Sequence, residues 1–283
     1  MSQWNPFPHD ADDYEFEGAS LKKAWKRLHA GDCIPYPSSS WVESVLDGLD
    51  EDALGSCGAD SSGLSTQLQC AWRAFHAGRF GDAVKNADEA GVLGSDCACK
   101  AIGIYATYLA ADESEQQALY REAISRGEQA IKLLPNNPGS HYFHAFNLGR
   151  LGQSISIGEA LRKGMAGKIK TSLDACLERE PDHAEAHTAL GMYHAEIIAK
   201  VGKMLGGVTY GASVDEALTH FELAIELVSH SPIAHIEFAN GLYLLFGDKR
   251  LDDVTDLYVK ASEMKAADAM ERLDIEAALA ELE

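Results

Sequence analysis

Pro181-Asp182-His183-Ala184-Glu185-Ala186-His187-Thr188-Ala189-Leu190-Gly191-Met192-Tyr193-His194 is followed, after a long tail, by Asp215-Glu216-Ala217-Leu218-Thr219-His220-Phe221-Glu222-Leu223-Ala224-Ile225-Glu226-Leu227 and then by Ser231-Pro232-Ile233-Ala234-His235. The pattern is helix, connection, helix, with the next helix opening as the first did. Pro181 stops the preceding helix and Asp182 is a suitable N-cap, so the first helix should begin near His183. Ala186, Leu190, Tyr193 and Ile197 recur at three- and four-residue steps and form one apolar stripe. That helix can continue through Ile198, Val201 and Leu205, and Gly206-Gly207 should end it. Ser213, with Glu216 three residues later, is a capping-box start for a second helix whose stripe is Ala217, Phe221, Ala224 and Leu227. Two such helices pack on each other and still leave a face for a neighbouring hairpin.

The residues from Ala186 to Gly191 and from Ala217 to Ala224 resemble the tetratricopeptide repeat. Its small and aromatic residues stand here as Leu190, Gly191, Ala217, Phe221 and Ala224, with His187 in place of the usual aromatic of the first helix. Gly191 and Ala217 are 26 residues apart, against roughly 12 in a standard repeat of about 34 residues, so this hairpin carries an insertion. His141, His187 and His235 take equivalent places at intervals of 46 and 48 residues. Long units with Gln153-Ser154-Ile155-Ser156 and Gly207-Val208-Thr209-Tyr210-Gly211 resemble the TRAP-transporter T-component group and its tetratricopeptide relatives, over roughly Leu134 to Glu283.

Outward from this stretch the hairpins repeat. Leu64 to Ala90 reads as a first one, with Ala71 and Ala83 at its small positions and Arg79-Phe80-Gly81-Asp82 as its turn. Cys97 to Ala110 and Leu119 to Leu134 form a second, closed by Pro135-Asn136-Asn137-Pro138. Ser140 to about Gly152, an extension through Gly164, and Ile169 to Leu177 form the third. The opening stretch is the fourth. Pro232 to Phe246, a Gly-Asp-Lys-Arg turn, and Asp252 to Met264 form the fifth, and Ala267 to Leu282 is a terminal cap of the kind solenoids need. The expected fold is all-α: a right-handed α-α superhelix, tetratricopeptide-like, of about five hairpins. Residues 1–63 form an N-terminal region and residues 64–283 the repeat domain.

That N-terminal region is an arm rich in Pro, Asp and aromatics (Trp4, Phe7, Tyr14, Phe16), expected to pack on its own chain. A short basic helix follows from Ser20 to Ala30, with Leu21, Trp25 and Leu28 on one side. Another helix is read from Trp41 to Leu49. Gly55 to Gly63 reads as a linker.

The chain has 283 residues, 46% hydrophobic and 24% charged, with a formal net charge of −20. Such a surface repels phosphate backbones and anionic lipid, which argues against nucleic-acid binding. No run of eighteen apolar residues offers a membrane-spanning helix. The acidic start from Met1 to Asp13 has no basic region followed by an apolar one, so no signal peptide is expected and the location reads as cytoplasmic. Six cysteines in a chain of this size read as structural thiols in reduced surroundings, and Cys97-x-Cys99 lacks the second pair of a zinc site.

His183, His187 and His194 share one helix face, but the first and last lie about 16 Å apart along the axis and cannot meet at one ion. Gly164-Met165-Ala166-Gly167-Lys168 lacks phosphate-loop spacing. No catalytic motif is present, so neither enzyme activity nor a cofactor or metal is expected. In the tetratricopeptide resemblance the first helix of each hairpin lines a concave groove. The matching residues are Tyr142, Phe146 and Arg150; Glu185, Thr188, Met192 and Glu196; and Ile236, Asn240, Tyr243 and Leu244. This set implies a non-enzymatic scaffold holding a peptide or protein segment of unknown identity. The T-component resemblance implies instead a small-molecule-binding accessory protein, and a homo-oligomer stays open.

Overall fold

Serine and aspartate side chains start half of the described α-helices. In the computed structural model, which describes residues 4–57 and 60–283, Ser38, Asp50, Asp60, Asp112, Ser156, Ser213, Ser231 and Asp268 each accept a backbone N–H from the first turn. Each satisfies a donor that the helix itself cannot. The first three residues of the expected arm and Gly58-Ala59 of the expected linker lie outside the described residues. No strand occurs among the described residues, and the all-α, tetratricopeptide-like reading is observed.

The chain divides into two compact units. The first holds the described residues up to His29 together with Ile34–Ser154, and the second holds Ala30–Cys33 with Ile155–Glu283. In the first unit α1 spans Ser20–Leu28, α2 Ser39–Leu46 and α3 Glu51–Ser56, followed by α4 Ser61–His76, α5 Phe80–Glu89, α6 Ser95–Tyr108, α7 Glu113–Leu133 and α8 Pro138–Ser154. α4 pairs with α5, α6 with α7, and α8 packs on both α6 and α7. Ala71 and Ala83 are fully buried, one on each helix of the first pair.

The arm packs in cis. The Trp4 ring lies 4.3 Å from that of Tyr105, and Asn5 donates its N–H to the Tyr105 hydroxyl and its side-chain amide to the Leu109 carbonyl. Phe7 covers Gly78. Arg73 donates to the carbonyls of Phe16 and Gly18. On the basic helix α1, Leu21 and Trp25 are buried. Trp25 gathers with His29, Trp72 and His76 in one aromatic cluster. Lys22, Lys23 and Lys26 of α1 differ from them in being exposed to solvent.

In the second unit α9 spans Ile157–Arg162, α10 Met165–Arg179, α11 Ala184–Val201, α12 Lys203–Tyr210, α13 Val214–Leu227, α14 Pro232–Phe246, α15 Leu251–Ser262 and α16 Ala269–Ala280. Phe221 of α13 is fully buried. A Cβ added at Gly191 of α11 would stand 2.7 Å from the Phe221 ring, and one at Gly241 of α14 2.4 Å. The two glycines therefore let three helices close on one aromatic ring, which explains why these residue types sit at this spacing.

Four local readings need correction. The cap of α11 is His183, whose Nδ1 accepts the Ala186 N–H at 3.1 Å, not Asp182. The long helix is not continuous: Gly202, at φ +85°, ends α11, and Gly206-Gly207 lies inside α12. Gly206 is there for close approach, since a Cβ on it would meet the Ile197 side chain at 3.2 Å. The first hairpin turns at Gly78 (φ +76°), so Phe80-Gly81-Asp82 already belongs to α5. Within the expected linker, Gly55 and Ser56 complete α3, which Asp50 caps.

Candidate functional site

On α8, Tyr142, Phe146 and Arg150 follow at four-residue steps, so they share one face. The Tyr142 and Phe146 rings stack at 6.2 Å and 22°, and the Arg150 guanidinium lies 5.6 Å from the centre of the Phe146 ring. Tyr142 is buried while Phe146 and Arg150 are half-buried. Phe146 also presses on α6, because a Cβ at Gly103 would meet its ring at 2.4 Å. The three side chains form an aromatic–cation stack whose outer edge is accessible.

In the second unit the matching residues are more dispersed in their roles. Glu185 is half-buried, and its backbone N–H donates to the Gly31 carbonyl. Thr188 is buried and donates its hydroxyl to the Ala184 carbonyl of its own helix. Met192 is half-buried. Glu196 holds Lys200 at 2.5 Å. On α14, Ile236 belongs to the core beside Ala239 and Leu242. Asn240 accepts the Tyr258 hydroxyl at 2.5 Å. Tyr243, 52% exposed, and Leu244 present apolar surface outward.

The three recurring histidines turn out to be clamps at helix starts. A ring nitrogen of His141 lies 2.8 Å from the Pro135 carbonyl, one of His187 2.9 Å from that of Pro181, and one of His235 3.0 Å from that of Ser231. A carbonyl only accepts, so each imidazole donates there. For neutral His187 this leaves Nδ1 as acceptor, and His220 Nδ1 donates to it at 2.9 Å. His194 stacks on His220 at 6.0 Å and 7°, and its Nδ1 accepts the Ser213 N–H.

His220 comes from α13, outside the set that helical spacing selects, because only the pairing of α11 with α13 brings it in. Burial pushes its pKa down to about 4, with His187 and His194 acting the same way. Burial and Lys170 hold His194 below the ordinary value as well. His194 and His220 therefore stay neutral at neutral pH and serve as hydrogen-bonding spacers. Among the described residues no three His, Cys, Asp or Glu side chains form a group able to hold a metal. Burial raises the thiols of Cys33 and Cys99 to about 12, which keeps both protonated and poor nucleophiles.

A family model described as Regulator of microtubule dynamics protein 1-3 (RMD1-3) matches residues 97–272, more than half of the chain. The expected resemblance to the T-component group is not what this model describes. No curated protein matches. Among solved structures, the thermophilic TPR protein TTC0263 of Thermus thermophilus superposes with a TM-score of 0.54 at 19% identity, over 77% of this chain and 99% of that one. A monomeric mutant of IFIT1 with Gppp-AAAA matches with a TM-score of 0.32 at 17% identity, over 89% of this chain and 67% of the other. The first of these supports the tetratricopeptide-like fold and nothing finer.

Proposed function

The chain belongs to the Regulator of microtubule dynamics protein 1-3 family, and on that premise we propose that it is a cytoplasmic, non-enzymatic scaffold that holds a peptide or protein segment on the first helices of its hairpins. The observation that carries this reading is the Tyr142–Phe146–Arg150 stack on α8, an accessible aromatic edge next to a fixed cation. Tyr and Arg are the residue types that dominate protein interfaces, since they offer large area and directed hydrogen bonds with little loss of freedom. Within the second unit, Tyr243 and Leu244 of α14 present apolar surface of their own, and Glu196 and Asn240 are the polar residues of that set. The family description directs the search for a partner toward proteins that act on microtubules.

The test is crosslinking in the native cell followed by anisotropy titration of the captured segment. Arg150→Glu and Tyr243→Asp alter accessible atoms and should each weaken binding by about tenfold or more, the loss of one good interface contact, with an unchanged circular dichroism spectrum. Phe146→Ala should do the same at a greater cost in stability, because its ring also packs on Gly103. Full-strength binding by both Arg150→Glu and Tyr243→Asp would remove the proposal.

A further inference from the structure

The basic helix α1 sets its charge against that of the whole chain. The chain carries −20. Residues 18–42 nevertheless hold Lys22, Lys23, Lys26 and Arg27 against one anion, Asp32, which is buried. The opposite side of α1 is fixed: Leu21 and Trp25 are buried, and the Trp25 indole donates its N–H to the Ile34 carbonyl at 2.7 Å. The lysines therefore project from a packed helix. Lys22 Nζ lies 5.5 Å from the centre of the Tyr36 ring. Lys22 and Lys26 are one turn apart, as are Lys23 and Arg27, so the cations form two adjacent rows.

Helix chemistry does not account for these rows. Like charges at i and i+4 repel, and cations near a helix N-terminus oppose its dipole. α1 has no acidic residue in its first turn and no side-chain cap, so nothing there offsets Lys22 and Lys23. On other helices the chain answers cations with carboxylates: Arg126 with Asp88 and Glu122, Lys170 with Asp174, Lys200 with Glu196. Among the described residues no carboxylate forms an ion pair with Lys22, Lys23 or Lys26. The arrangement works against the helix itself and is complementary to an anion from outside the molecule.

We propose that the outer face of α1 is a docking surface for an acidic, extended segment of another protein. Alternate residues of an extended chain point the same way at a spacing of roughly 7 Å. Four residues of α1 rise roughly 6 Å, so alternate Asp or Glu side chains meet Lys22 and Lys26, with Lys23 beside them. The exposed residues of α1 are Ser20, Lys22, Lys23 and Lys26, so this face has no apolar anchor with which to enter a membrane. A long nucleic acid carries its phosphates far beyond four cations and into the field of the acidic chain. A short segment stays within a Debye length, about 8 Å, of the cations. α1 precedes residues 97–272, which the family model matches, and shares no residue with the α8 stack, so neither proposal stands or falls with the other.

Fluorescence anisotropy of a labelled peptide of alternating glutamate and serine, titrated with the full chain, tests it. The peptide should bind, lose affinity as salt rises, and fail to bind when glutamine replaces glutamate. Lys23→Glu with Lys26→Glu should weaken binding by about tenfold or more, whereas Lys23→Arg with Lys26→Arg should retain it. Both lysines are exposed, and an unchanged circular dichroism spectrum verifies the fold. Lys23→Glu alone sets an anion near the helix N-terminus and one turn from Arg27, so its urea midpoint should stay level or rise. A fall in that midpoint would return the lysine to a structural role and overturn the proposal. So would no binding of the glutamate peptide, or equal binding by the charge-reversed pair. Tighter binding of phosphatidylserine vesicles or of a DNA oligonucleotide, lost in the same pair, would overturn the choice of occupant. A concentration-dependent rise in mass that the pair abolishes would do so too, since the face would then bind a second copy.

Discussion

Two hairpins built by the same rules treat their connections in opposite ways. Between α4 and α5 the chain turns in three residues at Gly78, and the arm covers that turn: Phe7 lies on Gly78 and Trp4 on Gly81. Between α11 and α13 the connection grows into α12, and Met204 and Val208 stand uncovered. The paired helices are alike, with fully buried alanines in both: Ala71 and Ala83 in one, Ala186 and Ala217 in the other. The pairing is thus a constant of the repeat, and the connection is where the chain varies. One connection is closed by a segment of the same molecule, and the other faces solvent.

The largest expected effect tests the constant part. Phe221→Ala removes the ring that Gly191 and Gly241 enclose, in a fully buried site, and should cost about 3–5 kcal/mol. Urea unfolding followed by circular dichroism measures it. A loss below about 1 kcal/mol would mean that the three helices do not depend on this ring, and the common core of the comparison would fail.

A smaller effect separates the two connections. Gly78 and Gly211 have similar left-handed backbones, φ +76° and +66°. A Cβ at Gly78 would stand 2.6 Å from the Phe7 ring, whereas one at Gly211 meets nothing within 4 Å. Both Gly→Ala variants incur the strain of positive φ, about 1 kcal/mol. Gly78→Ala should also displace the arm and reach about 2–3 kcal/mol in total. The excess should vanish in a Phe7→Ala background. Equal losses in both variants would show that the arm contributes nothing to closing its turn.

Most of the fold was legible because local and tertiary requirements coincide. The stripe of Ala186, Leu190 and Tyr193 is buried as its period requires, and Ser213 caps α13 as the capping box predicts. The errors fall where one residue type has two uses. Gly206-Gly207 looked like a helix end, but glycine also permits close approach, and the actual break needed a left-handed residue at Gly202. Asp182 looked like the cap because aspartate is the commoner choice, yet His183 presents a ring nitrogen in the right place. The candidate site was legible only along a helix. Tyr142, Phe146 and Arg150 meet because they share a face, whereas the Tyr258–Asn240 bond and the approach of His220 to His187 depend on helix pairing that no local spacing encodes.

That histidine ladder supplies the smallest effect, and it is specific to the lengthened hairpin. An unfolded histidine takes a proton near pH 6.5, while burial beside His187 and His194 keeps His220 neutral in the folded chain until about pH 4. Between those values the unfolded chain binds more protons than the folded one, so stability falls as pH falls through the window. This contribution is level above pH 6.5 and flattens below pH 4. His194 and His235 are lowered too and act in the same sense. Because His220 is only half-buried, solvent reduces its share to about 1–2 kcal/mol. The urea midpoint should therefore drop between about pH 7 and about pH 5.5, before most carboxylates titrate. His220→Gln keeps a donor for His187 Nδ1 but has no proton to gain, so it should remove part of that drop. An unchanged pH dependence in His220→Gln would assign the drop to other groups and leave the ladder as packing alone.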